Sequence, residues 1–236
     1  MSKPSIVDRV LYRATKPLHT RQCPCCGWSG FKFKPFGNDT VRREDAWCPW
    51  CRSLERHRLA YIMLKPVLNG SGYRTLHVSP EPPIAPWLKR ISTDYLGIDI
   101  DGTAMAKMDV TDLQLPDNSK NLVWCSHVLE HVPADRKAMS EMFRVLVSGG
   151  MAVIQIPIGG DKTYENPAVT TPEDRLKHFL QEDHVRLFGL DVVKRLEEAG
   201  FQVRTKRVEE LDPALVKKHS LSFRTTNEVF ICTKPA

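Results

Sequence analysis

The sequence predicts an α/β protein: a doubly wound, mostly parallel sheet with a small cysteine-bound module in front of it. Three observations carry that reading. Between Arg74 and Pro157, short apolar runs rich in β-branched residues alternate with helical stretches, the signature of strands joined by crossover helices. Acidic residues stand where those runs end. Ahead of them lie two Cys-x-x-Cys pairs, Cys23/Cys26 and Cys48/Cys51, about twenty residues apart.

The chain divides at 1–51, 52–72 and 73–236. In the first part, apolar positions at 6, 7, 10 and 11 after Ser5 predict a short amphipathic helix over residues 5–13. The two cysteine pairs that follow suit a tetrahedral structural zinc, each pair gripping from a tight turn, with Cys25 outside the set. Gly27 fits a position needing positive φ, and Trp28, Phe31 and Phe33 are expected to cover the metal. Residues 52–68 are helical in pattern, with a basic face of Arg52, Arg56 and Arg58, and Asn69-Gly70-Ser71-Gly72 ends the helix. That helix joins the ribbon to the sheet and is too regular for a tether.

The third part opens with predicted strands at 74–78, 95–100 and 121–126, a helix at 134–146, a turn at Gly149-Gly150 and a strand at 151–158. Ligands of such sheets sit outside the carboxyl ends of the strands. Asp99 falls at one such end, where a carboxylate can accept both hydroxyls of a ribose. Asp109, after the next short strand, can take an adenine amino group.

Residues 109–157, DVTDLQLPDNSKNLVWCSHVLEHVPADRKAMSEMFRVLVSGGMAVIQIP, resemble the class I S-adenosylmethionine-dependent methyltransferases, and the resemblance extends over 74–234. It implies a Rossmann-like sheet of seven strands whose last two, in FQVRTKRV and TNEVFICTK, are antiparallel. It also implies a cofactor site. Asp99 and Ile100 would hold the ribose side, Asp109 and the Val110 backbone the adenine, and Ser126 and His127 would stand beside the methyl group. His77, Ser79, Pro80 and Glu81 would form the loop at the methionine part. The family carries Gly-x-Gly there, whereas this loop reads HVSPEPP. Either Ser79 and Pro80 make a tight turn that still presents backbone groups, or cofactor binding is lost; the downstream aspartates favour the first.

The segment 159–189 exceeds what a connection needs, and family members often cover the active site there, so it reads as a substrate lid. His184 within it is the candidate base, with His127 the second catalytic candidate; Arg186 and Tyr164 are weaker candidates for binding the acceptor. His127-Val-Leu-Glu130-His131 also matches the HxxEH pattern of a class of zinc peptidases. That chemistry needs both histidines on one helix, while here His127 ends a strand and Pro133 follows. An active-site metal held by His127, Glu130, His131 and a lid histidine stands as an alternative to a plain core role for His131.

At 236 residues, +6 net charge and 42% hydrophobic content, one α/β domain and a small appendage are accommodated. No apolar run is long enough to span a bilayer, and residues 1–20 lack the apolar core of a signal peptide, so a cytoplasmic protein without membrane partners is expected. Clustered Cys-x-x-Cys pairs fit reduced, metal-bound thiolates better than disulfides. Residues 1–70 hold 13 Lys+Arg against 5 Asp+Glu, net +8, and the remainder is −2. A small molecule, natural product or peptide under the lid is the expected acceptor. RNA recruited by the basic segment, and a non-catalytic binding protein, are the alternatives.

Overall fold

The computed structural model describes residues 14–37, 42–222 and 225–236; the helix expected over 5–13 lies outside them. The ribbon is two small antiparallel hairpins. β1 (Arg21–Gln22) pairs with β2 (Ser29–Gly30), and β3 (Lys34–Phe36) with β4 (Arg43–Trp47). Its two cysteine knuckles repeat one backbone pattern. Gly27 N–H donates to Cys23 O at 2.9 Å and Arg52 N–H to Cys48 O at 3.0 Å, with φ of +77° and +65° respectively. Glycine meets that requirement without strain in the first knuckle; an arginine bears it in the second.

α1 (Glu55–Leu64) is shorter than the 52–68 expected, and of its three arginines Arg52 is exposed ahead of the helix, Arg56 is half-buried and Arg58 turns inward. Arg58 is fully buried. It donates from Nε to His219 O at 2.6 Å, from Nη1 to Ala46 O and Ser53 O at 2.8 and 2.7 Å, and from Nη2 to Ser220 O at 2.8 Å. Its guanidinium also lies 4.1 Å from the centre of the Phe33 ring. A planar fork with five donors can satisfy carbonyls from three segments at once, so Arg58 clamps ribbon, helix and sheet domain together. Phe33 and Trp28 pack at the ribbon core with ring centres 5.1 Å apart, but Phe31 is 59% exposed and does not cover it.

The sheet domain runs β5 (Tyr73–Val78), α2 (Ala85–Ile91), β6 (Ser92–Asp99), β7 (Ala106–Lys107), β8 (Lys120–Ser126), α3 (Asp135–Val145) and β9 (Leu146–Gln155). The segment after β9 holds β10 (Ile158–Gly160), α4 (Pro172–Phe179) and β11 (Phe188–Gly189). It is followed by α5 (Val192–Glu198), β12 (Gln202–Arg207), α6 (Pro213–His219) and β13 (Glu228–Thr233). Seven strands form one sheet in the order β12-β13-β9-β8-β5-β6-β7, parallel except β13, which is antiparallel to both neighbours. The chain leaves β5 toward β6 and later returns to its other side with β8. The crevice therefore opens at the carboxyl ends of β5 and β8.

Strand parity divides the core into two layers. Leu76, Val78, Val123, Cys125 and Ile154 face α3 and α5, while Leu122, Trp124 and Val153 face α1 and α2. His77 alternates into the second layer. Its Nδ1 lies 2.9 Å from the Tyr95 hydroxyl, and its ring meets that of Trp124 edge to face at 6.4 Å. Burial depresses it to about 4. Its side chain is thus packing, and only its backbone remains for a ligand in the loop, which corrects the sequence expectation.

Candidate functional site

At the end of β5 the glycine-free loop takes the backbone shape a glycine would. Ser79 has φ +48° and donates its N–H to Ile98 O at 2.8 Å. Pro80 lies flat over Gly97 of β6, where any Cβ would come within 2.8 Å of Pro80 Cγ. On the adjacent strand β8, His127 has φ +53°. Two neighbouring strand ends thus each carry a left-handed non-glycine residue, a conformation costing about 1–2 kcal/mol apiece and held where surroundings demand it.

Glu81 turns inward. Its Oε1 lies 2.6 Å from His57 Nε2 and 3.3 Å from Arg56 Nε. Leu54 N–H donates to His57 Nδ1 at 2.8 Å, so the His57 proton is on Nε2 and goes to Glu81. Burial alone would raise the Glu81 carboxyl, yet His57, Arg56 and His127 hold it well below the carboxylate range. The connecting helix therefore fixes the loop.

Asp99 ends β6, half-buried, with Oδ1 near the Asp101 N–H at 3.4 Å. Ile100, next in the chain, is 65% exposed, and so, at 63%, is Met105, just ahead of the β7 residue that pairs with Ile98. Asp109 is exposed and caps its own turn by accepting the Thr111 N–H at 2.8 Å, and Val110 is buried beneath it. The following loop is tied down by Arg144, which donates to Leu115 O and Leu113 O, both at 2.8 Å.

Among the described residues, six buried side-chain polar atoms without a hydrogen-bond partner lie at this one edge: Glu81 Oε2, Ser126 Oγ, His127 Nε2, both Glu130 oxygens and Gln155 Oε1. Buried polar atoms are normally paired, because leaving one unpaired costs about 1–3 kcal/mol. Their concentration where β5, β8 and β9 end is what a ligand site requires. The sequence reading had not assigned Gln155, Arg56 or His57 there.

The segment 159–189 packs against the turn that follows β8. Val185 N–H donates to Glu130 O at 2.9 Å, and the bridge between Tyr164 and Leu187 closes its stem. Arg186 is not free for a substrate anion, as the sequence suggested: its donors are taken up by Leu129 O, Val132 O, Pro133 O and Glu165. Tyr164 is 40% exposed, its hydroxyl 2.9 Å from His178 Nδ1. His184 is buried, donates Nδ1–H to Phe179 O at 3.1 Å, and stands edge to face with His131 at 4.7 Å between ring centres. His127 Nδ1 lies 3.2 Å from Glu130 Oε1. Burial would raise the Glu130 carboxyl, and His127 keeps it below its ordinary value.

At the ribbon, one sulfur from each of Cys23, Cys26, Cys48 and Cys51 lies within 4.8 Å of the others. Cys25 stands apart from this set, its Sγ 3.8 Å from His57 O. Four thiols so placed can hold a tetrahedral ion. Within this segment Arg21 pairs with Asp45, Lys32 and Arg42 with Glu44, and Arg43 with Glu55, pairs that the net charge of +8 already includes.

The seven-stranded sheet has the Rossmann-like fold that solved methyltransferases share. Residues 81–154 match the family model described as a methyltransferase domain. Among solved structures it is similar to an S-adenosylmethionine-dependent methyltransferase from Archaeoglobus fulgidus, with 16% identity over 78% of this chain and 96% of that one and a TM-score of 0.54. The [4+2]-cyclase SpnF aligns with 100% of this chain and 98% of its own at 15% identity and TM-score 0.54. Phosphoethanolamine N-methyltransferase 2 of Haemonchus contortus, solved with phosphomonomethylethanolamine and S-adenosylhomocysteine, aligns over 81% of this chain and 54% of its own, with 14% identity and TM-score 0.54. No curated protein matches the chain. At these identities the likeness is one of fold, and the cyclase shows that the fold serves more than one reaction. Among the described residues no helix is long and apolar enough to cross a membrane.

Proposed function

We propose that the chain transfers the methyl group of S-adenosylmethionine to a small-molecule, natural-product or peptide acceptor held under the segment 159–189. The observation that carries this reading is the collection of unpartnered polar atoms at the ends of β5, β8 and β9, next to Asp99 and its exposed apolar neighbour Ile100. The donor set suits the cofactor: Asp99 for the ribose hydroxyls, Ile100 for an apolar face, Asp109 and the Val110 backbone for the adenine, and the left-handed Ser79 loop with Pro80 for the methionine part. When bound, the cofactor supplies an electrophilic sulfonium methyl. The protein then holds an acceptor in line with it at about 3–3.5 Å, excludes water with the segment 159–189, and receives the acceptor's proton where there is one. Ser126, His127 and His184 are the side chains proposed around that acceptor. A structural zinc on Cys23, Cys26, Cys48 and Cys51 keeps the ribbon folded.

Methyl-labelled cofactor incubated with the full chain and fractionated cell extract tests this directly. Label in the low-mass or peptide fraction is expected. Label confined to RNA would transfer the acceptor class to nucleic acid, and no label in any fraction would remove methyl transfer from the account.

A further inference from the structure

We propose a second metal site, separate from the ribbon: a divalent first-row transition ion held by Glu130, His131 and His184 where the segment 159–189 packs against the turn after β8. One ligand atom from each of the three lies within 4.8 Å of the other two. Bonds of about 2.1 Å at tetrahedral angles place ligand atoms about 3.4 Å apart, so a drawing together of any pair by at most about 1.4 Å, shared between two side chains, completes the set.

Two further features point to an ion. Glu130 is fully buried, and neither of its carboxylate oxygens has a hydrogen-bond partner. A charged group in that position needs a counter-charge, and His127 approaches only one oxygen, at 3.2 Å. The histidines are also oriented from behind, as metal-bound imidazoles are. His184 donates its Nδ1–H to Phe179 O at 3.1 Å, and His131 Nδ1 faces Asp183 Oδ2 at 3.2 Å, which leaves Nε2 of each ring for the ion. Two imidazoles and a carboxylate favour zinc or its first-row neighbours over magnesium or calcium.

Three protein ligands leave coordination positions open, so the ion can bind an acceptor that presents an oxygen: a hydroxyl, a carboxylate or a phosphate. Assigned this way, His184 acts as a ligand rather than as the base. The role in acceptor binding rests on the methyltransferase reading, while the metal site itself does not.

The test is a metal count on the full chain, stripped with chelator, reloaded with Zn²⁺ or Co²⁺ and measured by mass spectrometry. Two equivalents are expected for the native protein and one for His131→Ala/His184→Ala. Glu130→Gln, which keeps the shape of the side chain, is expected to weaken binding of the second equivalent at least ~10-fold and to shrink the Zn²⁺-induced rise in melting temperature. An unchanged count in the double variant, or an unchanged Zn²⁺ response in Glu130→Gln, would overturn the site. S-adenosylhomocysteine binding is measured alongside by calorimetry. Absence of that binding with the histidine-dependent equivalent present would sink methyl transfer and leave the metal site standing.

Discussion

The four-cysteine ribbon and the carboxyl edge of the sheet treat buried polar atoms in opposite ways. In the ribbon the thiols face one another, backbone donors close both knuckles, and Arg58 answers the surrounding carbonyls. Nothing further need arrive except an ion. At the sheet edge, polar atoms from four segments are gathered and left unpaired beside two left-handed residues. A closed set of partners marks a structural element, and an open one marks a place for a ligand.

The largest expected effect comes from breaking the closed set. Cys48→Ser should abolish retention of zinc at the ribbon and cost more than about 5 kcal/mol, since structural zinc in small modules contributes roughly 10–16 kcal/mol of binding. Metal content and thermal unfolding read both. Next is the joint between the two regions. Arg58→Ala strips the donor from Ala46 O, Ser53 O, His219 O and Ser220 O, and should cost about 3–5 kcal/mol, seen as faster proteolysis within residues 14–51 and a fall in melting temperature on the order of 10 °C.

Acid probes the layer behind the open set. His77 is held at about 4 in the folded protein, against 6.5 when exposed. Between those values the unfolded chain binds a proton that the folded chain refuses, so stability falls as pH drops from 6.5 to 4, by about 3 kcal/mol from this residue. His77→Gln should flatten that part of the stability profile measured by urea unfolding. The smallest effect sharpens the open set itself. Ser79→Gly should leave stability within about 1 kcal/mol and keep cofactor affinity, because glycine takes φ +48° freely, while Ser79→Val should weaken both.

The ribbon was legible in the sequence because its chemistry is local: two residues separate the members of each pair, and one motif predicts the turn that presents them. The sheet was legible from alternating apolar runs, and so was the place of Asp99 at the end of β6. The partners of Glu81 were not. His57 reaches it across 24 positions and through a helix whose packing decides the geometry. Arg58 read as surface because a charged residue in a helical pattern normally is; only the carbonyls brought from residues 46, 53, 219 and 220 justify its burial. His77 could have been read better. It alternates with Leu76 and Val78, so strand parity alone places its side chain in the opposite layer.

Calorimetric titration of S-adenosylhomocysteine into the full chain and into Asp99→Ala measures the central claim most directly. The expected result is one site per native chain, weakened at least ~10-fold by removal of the ribose carboxylate, consistent with the loss of a charge-assisted hydrogen bond. No binding to the native chain, or equal affinity in the Asp99→Ala variant, would contradict it.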